Sequence, residues 1–237
     1  MNRRFEMKTI GLIGGMSWES SLEYYRILNQ TVKEKLGGFH SAKCVMYSVD
    51  FEEIEKLQHK GNWDELTDLM IGAAQRVQKA GADCIVICTN TMHKMAPEVQ
   101  SNISIPLLHI ADVTAQEIKN RGQKKVGLLG TRFTMEQDFY KGRLIEKHGI
   151  EVIIPDEEQR KIIHHILYDE LVQGEINKAS KNKFKEIIES LKNRGAEGII
   201  LGCTEIPLLV KQKDYEVPLY DTTFIHARAA VEWSLEE

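Results

Sequence analysis

Short apolar runs rich in Val, Ile and Leu alternate along this chain with longer stretches in which apolar residues return every three or four positions. The short runs predict strands at Lys8–Ile13, Ala42–Ser48, Cys84–Ile87, Leu107–His109, Lys125–Leu129, Glu151–Ile154, Gly198–Leu201 and Leu219–Asp221. The longer stretches predict amphipathic helices at Ser21–Leu36, Asp64–Ala80, Ala111–Asn120, Glu136–His148, Glu157–Leu171 and Lys181–Arg194, with a last helix near the C-terminus. Glycine marks several helix ends, as in Ala80-Gly81, Arg121-Gly122, His148-Gly149 and Arg194-Gly195. Strands that are apolar without alternation, separated by helices, imply an α/β fold: a parallel sheet covered on both faces.

The pattern also repeats. Lys8-Thr9-Ile10-Gly11-Leu12-Ile13-Gly14 returns as Lys124-Lys125-Val126-Gly127-Leu128-Leu129-Gly130. Ala80-Gly81-Ala82-Asp83 leads to Cys88-Thr89-Asn90-Thr91, and Arg194-Gly195-Ala196-Glu197 leads to Cys203-Thr204-Glu205. A third echo links Ile105-Pro106-Leu107 to Val217-Pro218-Leu219. The order and spacing are kept, so the chain reads as a duplicated unit. The expectation is two pseudo-symmetric, doubly wound parallel-sheet domains facing across a cleft. The first covers residues 1–112 and the second 113–217, and the segment 218–237 is expected to cross back to the first. Two such halves would bring Cys88 and Cys203 to one cleft from opposite sides. A reaction needs that geometry when a proton leaves one face of a carbon and returns to the other.

With 237 residues the chain can build two small domains, each with its own core. The formal charge is −4, and Lys and Arg are interleaved with acids, which argues against nucleic acid or an anionic membrane as partner. No run approaches the roughly eighteen apolar residues of a membrane span, and Met1-Asn2-Arg3-Arg4-Phe5-Glu6 has no apolar segment. A cytoplasmic protein with reduced thiols is expected.

Ligands of open α/β sheets bind beyond the carboxyl ends of the strands, where Gly14-Gly15-Met16-Ser17, Cys88-Thr89-Asn90-Thr91, Gly130-Thr131-Arg132 and Cys203-Thr204-Glu205 all fall. Cys88 and Cys203 are the candidate acid/base pair. Each stands at a predicted strand-to-helix turn, where backbone N–H groups and a helix N-terminus are expected to lower the thiol pKa. Cys44 and Cys84 read as small packing residues. The Thr and Asn side chains and backbone N–H groups after each cysteine suit a carboxylate, although the same residue types serve as simple helix caps. Glu205, an acid beside a thiol, is placed to bind an ammonium group or tune the thiol. Gly11-x-x-Gly14-Gly15 lacks the spacing of a nucleotide loop and reads as a tight turn open to a small ligand. No Cys/His spacing matches zinc, so no metal is expected. His93 reads as a cap or packing residue, His164-His165 as one half-buried and one exposed residue, and Trp18, Trp63 and Trp233 as packing.

Taken together, Gly14-Gly15-Met16-Ser17, Cys88-Thr89-Asn90-Thr91-Met92-His93 and Gly202-Cys203-Thr204-Glu205 resemble the aspartate/glutamate racemase family of cofactor-independent amino-acid racemases. The resemblance implies two similar α/β domains and an isomerase that interconverts L- and D-amino acids. It implies Cys88 and Cys203 as the two acid/base residues, and Met16, Ser17, Gln58, Thr89, Asn90, Thr91, Thr204 and Glu205 as substrate-binding residues. No pyridoxal phosphate or metal is implied; the partner is a small amino acid, and a homodimer is compatible. Many aspartate-specific members carry Asn-x-Pro-Gln and an arginine after the second strand, where this chain has Tyr47-Ser48-Val49-Asp50-Phe51-Glu52-Glu53. They also carry a lysine near the segment that here reads Tyr168-Asp169-Glu170-Leu171-Val172-Gln173-Gly174, and glutamate racemases place His where this chain has Glu205. The closer likeness is to the broad-specificity branch. Other enzymes of the superfamily (hydantoin racemase, maleate isomerase, decarboxylase) and a non-catalytic amino-acid-binding protein are the rival readings. The intact cysteine pair argues against the isomerase and the decarboxylase.

Overall fold

The computed structural model describes residues 6–236, so residues 1–5 of the N-terminal segment lie outside the described residues. Two compact units make up the chain: one runs to His109 and resumes at His226, and the other is Ile110–Ile225.

In the first unit the order is β1 (Ile10–Gly14), α1 (Trp18–Leu36), β2 (Cys44–Ser48), α2 (Phe51–Lys60), α3 (Trp63–Lys79), β3 (Cys84–Ile87), a 3-10 turn (Thr91–Met95) and α4 (Ala96–Ser101). The strands form a parallel sheet in the order β2-β1-β3, and Leu107 adds an isolated parallel bridge to Ile85. Alternation along the central strands sorts their side chains onto two faces. Ile10, Leu12, Cys84, Val86 and Cys88 pack with Tyr24, Ile27 and Leu28 of α1 and with Ala227, Ala230 and Val231. Ile13, Ile85 and Ile87 pack with Leu66, Met70, Ala73 and Val77 of α3. Gly11 lies where α3 presses closest. A Cβ there would come within 2.4 Å of Val77 and 2.6 Å of the Cys84 carbonyl, so only glycine lets helix and strand meet.

The second unit repeats this plan with α5 (Ile110–Asn120), β4 (Lys125–Gly130), α6 (Arg132–Glu136), α7 (Asp138–His148), β5 (Glu151–Ile153), α8 (Glu157–Asp169), α9 (Lys178–Asn193), β6 (Gly198–Gly202), α10 (Ile206–Leu209) and β7 (Leu219–Asp221), and α11 (Thr222–Leu235) begins in it and belongs to the first unit from His226 on. The sheet order is β5-β4-β6-β7, all parallel. The repeat extends to single hydrogen bonds. Ile85 N–H donates to Pro106 O at 2.8 Å, and Ile199 N–H donates to Pro218 O at 2.8 Å. Asp83 N–H donates to Thr9 O, and Glu197 N–H to Lys125 O, again at 2.8 Å each.

Four sequence expectations are corrected. The segment from residue 218 does not cross back as a whole: Leu219–Asp221 pairs in register with Ile199–Leu201 as the edge of the second sheet, and the return comes at His226, inside α11. The predicted helix Glu136–His148 breaks at Gln137, whose extended backbone separates α6 from α7. Leu107–His109 makes one bridge instead of a strand. Trp18 is 67% exposed, because the buried face of α1 is set by Tyr24, Ile27, Leu28, Thr31 and Val32 and leaves Trp18, Leu22 and Tyr25 outside. Among the described residues no helix is long and apolar enough to cross a membrane.

His226 is fully buried at the return point, with its pKa lowered to about 4 by desolvation against the opposing effect of its bond to Leu108 O. An ordinary histidine titrates near 6.5, so between these values the unfolded chain takes up a proton that the fold refuses. The unfolding free energy is therefore expected to hold above pH ~6.5 and to fall by up to about 3 kcal/mol on going down to pH 4. Denaturant titrations across this range should show the slope in the native chain and its loss in His226→Gln. An unchanged slope in that variant would assign the acid sensitivity elsewhere.

Candidate active site

Cys88 and Cys203 directly follow β3 and β6, whose residues are buried throughout. Within the first unit, hydrogen bonds gather several candidate residues around Cys88. Its N–H donates to Ile13 O of β1 at 2.9 Å, and its carbonyl accepts from Ser20 Oγ at 2.7 Å, so the strand end is tied to β1 and to the first turn of α1. Ser17 caps α1 by accepting from Ser20 N–H. Ser21 Oγ accepts from Gly15 N–H at 2.7 Å and donates to Ser17 O at 3.0 Å, closing the loop that carries Met16. Gly15, at φ +91°, lies so near Val49 that a Cβ would approach its carbonyl oxygen to 2.2 Å; no other residue fits this turn. Met16 packs with Ile87 and Met92. Gln58 of α2 is buried and donates its amide to Met92 Sδ at 3.1 Å, which draws it to the turn after Cys88. Ser20 and Ser21 escaped the sequence reading. Their signal was the Ser17-x-x-Ser20-Ser21 run at a helix start.

In the second unit the arrangement is smaller. Cys203 Sγ donates to Glu205 Oε2 at 3.0 Å, and Thr204 Oγ1 donates to the same oxygen at 2.8 Å. Glu205 is 7% exposed. Beside these, Thr131 caps α6 by accepting from Thr134 N–H, and Thr222 Oγ1 donates to Leu201 O at 2.9 Å. Thr222, directly after β7, was also missed. Neither Asn90 nor Glu205 caps the turn that follows it through its side chain.

The electrostatic expectation is reversed. Burial pushes the Cys88 thiol well above its ordinary range, with Cys44 adding to the effect, and its hydrogen-bond acceptor is the Val86 carbonyl at 3.9 Å. The Cys203 thiol is also raised, first by burial and then by the Glu205 carboxylate, while the backbone N–H groups of Thr204 and Glu205 pull the other way without prevailing. Only a short 3-10 turn and the four-residue α10 follow the two cysteines, so the helix field that would favour thiolates is weak. Both are resting thiols. Cys84 is buried at the start of β3 and pushed up to about 12, and Cys44 is half-buried and raised, which is how packing cysteines behave.

Four cations that could be candidates for a second substrate carboxylate are paired within their own units. Arg26 pairs with Glu23, Arg132 and Arg160 with Glu136, and Lys161 with Glu157 and Glu158. Asp50 caps α2 through Glu52 N–H, and Glu52 pairs with Lys56. Among the described residues no group of three or more His, Cys, Asp or Glu side chains is arranged to hold a metal ion.

Comparison with known proteins gives a consistent picture. The Asp/Glu/hydantoin racemase model matches residues 13–230. A solved structure of a candidate Asp/Glu racemase from Yersinia pestis is 55% identical, covers 97% of this chain and 100% of its own, and superposes with a TM-score of 0.92. An aspartate racemase homologue from Pyrococcus horikoshii is 37% identical over 97% of this chain and 100% of its own, with a TM-score of 0.86. The broad-specificity amino-acid racemase RacX of Bacillus subtilis is 28% identical over 168 residues, 71% of this chain and 72% of the relative.

The bond between Cys203 and Glu205 generates a prediction. Removing the carboxylate charge in Glu205→Gln should lower the Cys203 pKa and raise its alkylation by iodoacetamide severalfold near pH 8, with Cys88 unaffected. Peptide mapping by mass spectrometry reads each site separately, and an unchanged or slower reaction at Cys203 would refute the electrostatic coupling.

Proposed function

The chain belongs to the Asp/Glu/hydantoin racemase family, and we propose that Cys88 and Cys203 are its two proton carriers, one for each face of an amino acid's α-carbon. It is an isomerase, an amino-acid racemase producing and consuming D-amino acids. The observation that carries the residue assignment is equivalence: in each sheet the strand paired with β1 or β4 is followed at once by Cys-Thr, at the same place in a duplicated plan. A single base would return its proton to the face it came from. Two are needed for inversion.

In one direction a thiolate takes the α-proton, the C–H electron pair passes to the α-carbon and its carboxylate, and the opposite thiol donates its proton to the other face. The cysteines then stand with roles exchanged, ready for the other enantiomer. Both thiols rest protonated, so the thiolate must form in the loaded enzyme. For Cys203 the 3.0 Å hydrogen bond to Glu205 holds the proton on the resting thiol. The carbanion is the difficult species, and backbone N–H groups of the Thr89–Thr91 and Thr204–Glu205 turns hold the substrate carboxylate as oxyanion-type donors. Ser17, Met16 and Gln58 line the same turn in the first unit. The chemistry calls for neither pyridoxal phosphate nor a metal.

Cys88→Ala and Cys203→Ala are each expected to abolish racemisation while leaving the melting temperature within a few degrees, since each removes the carrier for one face, and general acid/base steps are worth about 10² to 10⁴ in rate. Cys84→Ala and Cys44→Ala should keep turnover. Near-normal activity of either single variant in both directions, followed by chiral chromatography, would defeat the two-base assignment. An amino acid that binds without exchanging its α-hydrogen for deuterium in D₂O would favour the binding-protein reading.

Substrate choice follows from the paired cations. A second carboxylate buried without a free Arg or Lys pays for its lost hydration, and Glu205 adds repulsion. Neutral polar and basic amino acids are therefore expected to be racemised at least as well as aspartate. The similarity to RacX, a broad-specificity racemase, supports this reading. The measurement is kcat/KM for aspartate, glutamate, homoserine, methionine and lysine under one set of conditions; a clear preference for either acid would overturn it and direct attention to Arg132.

A further inference from the structure

The turn after Cys88 is held by an imidazole that the proton-transfer chemistry leaves unused. Thr91–Met95 winds as a 3-10 turn, so His93 N–H reaches Asn90 O at 3.1 Å. In an α-helix it would have reached Thr89 O. That carbonyl is taken instead by His93 Nδ1 at 2.8 Å, and because a carbonyl only accepts, Nδ1 carries the proton. The His93 side chain thus replaces a missing backbone bond one residue from the thiol.

The ring itself is fixed. His93 is 1% exposed, and its centroid lies 4.7 Å from that of His109 and 5.5 Å from that of His226. His226 is anchored at both nitrogens: Nε2 donates to Leu108 O at 2.8 Å, and Nδ1 accepts from Tyr24 Oη at 2.9 Å. Three imidazoles and a phenol, all buried, form a polar strut through an otherwise apolar layer.

Building on the racemase reading above, we propose that His93 is a positioning residue for Cys88: its Nδ1–H clamps the Thr89 carbonyl and so sets the Cys88–Asn90 turn, with His109 and His226 as the bearing that fixes the ring. The clamp orients the backbone N–H groups that must meet the substrate carboxylate. Misplacing such groups by about 1 Å can cost on the order of 10²-fold in rate.

The test compares two substitutions. His93→Asn puts a side-chain N–H close to where Nδ1 stands, whereas His93→Leu keeps bulk and removes the donor; both lose the ring packing. Turnover of the best substrate, α-hydrogen exchange in D₂O, melting temperature and the iodoacetamide reactivity of Cys88 are measured for each. In His93→Leu, kcat is expected to fall about 30-fold or more with KM changed by less than about threefold, and Cys88 reactivity to shift; His93→Asn should recover kcat to within about fivefold and restore that reactivity. Should His93→Leu fail to fold, His93→Gln, whose amide is one bond too far out, takes its place. Equal losses in the two variants, tracking equal drops in melting temperature, would make His93 a packing residue only and overturn the proposal, as would an undiminished kcat in His93→Leu. If the native chain exchanges no α-hydrogen from any amino acid, the racemase reading fails, and the Cys88 reactivities still decide whether His93 sets the turn.

Discussion

A strand buried on both faces can present chemistry only at its end. β3 and β6 are covered by helices above and below, so every side chain along them is committed to packing. Their carboxyl ends are the first positions where the chain is free to carry a reactive group. Cys88 and Cys203 take those positions. The same burial that places them firmly also denies them the charged form, because the surrounding apolar layer cannot solvate a thiolate. On the two-base reading, substrate binding must then help create the base.

The duplication supplies this constraint twice, and the two copies have diverged around it. The shared parts are structural: the glycine beneath α3 has its counterpart in Gly127 beneath α9, and the acid before β3 or β6 pairs with the backbone at the start of β1 or β4 in both units. The unshared parts surround the thiols. Cys88 belongs to an apolar cluster with Leu12, Tyr24 and Ala227, and its turn leans on His93. Cys203 has a carboxylate as immediate neighbour. Conservation of the frame with divergence at the strand ends is what separates scaffold from chemistry here.

Much of this was legible in the sequence, for reasons that differ element by element. The strands were plain because fully buried parallel strands are continuous apolar runs, and the repeat was plain because glycines such as Gly11 and Gly127 answer to close backbone approach, which tolerates no substitution. α2 was missed because Phe51–Lys60 buries only Ile54 and Gln58, too few apolar positions to show a period. The place of β7 was misjudged because pairing partners are a matter of register, and three residues carry little of it. The thiol pKa was misjudged because the sequence shows that a turn follows each cysteine but not that the turn is too short to have a useful dipole. His93 was read as a cap or packing residue and is both, buried among rings and bonded to the Thr89 carbonyl; which carbonyl it takes depends on the 3-10 winding, a geometry no spacing rule encodes.

The inequality of the two thiols meets a strict limit in a racemase. Free L- and D-enantiomers have the same free energy in water, so kcat/KM must be the same in the two directions whatever the site does. Glu205 beside one thiol and an apolar wall beside the other can therefore not favour one enantiomer overall. They can only stabilise one enzyme form over the other, Cys88 as thiolate with Cys203 as thiol, or the reverse. Such a bias raises kcat and KM together in one direction and lowers both in the other. The repulsion between Glu205 and a Cys203 thiolate, unmatched at Cys88, would then bias the pair toward the form in which Cys203 keeps its proton. On the two-base proposal, one asymmetric neighbour in a duplicated scaffold is thus enough to set an order between the two thiols, the one beside Glu205 as acid and the other as base.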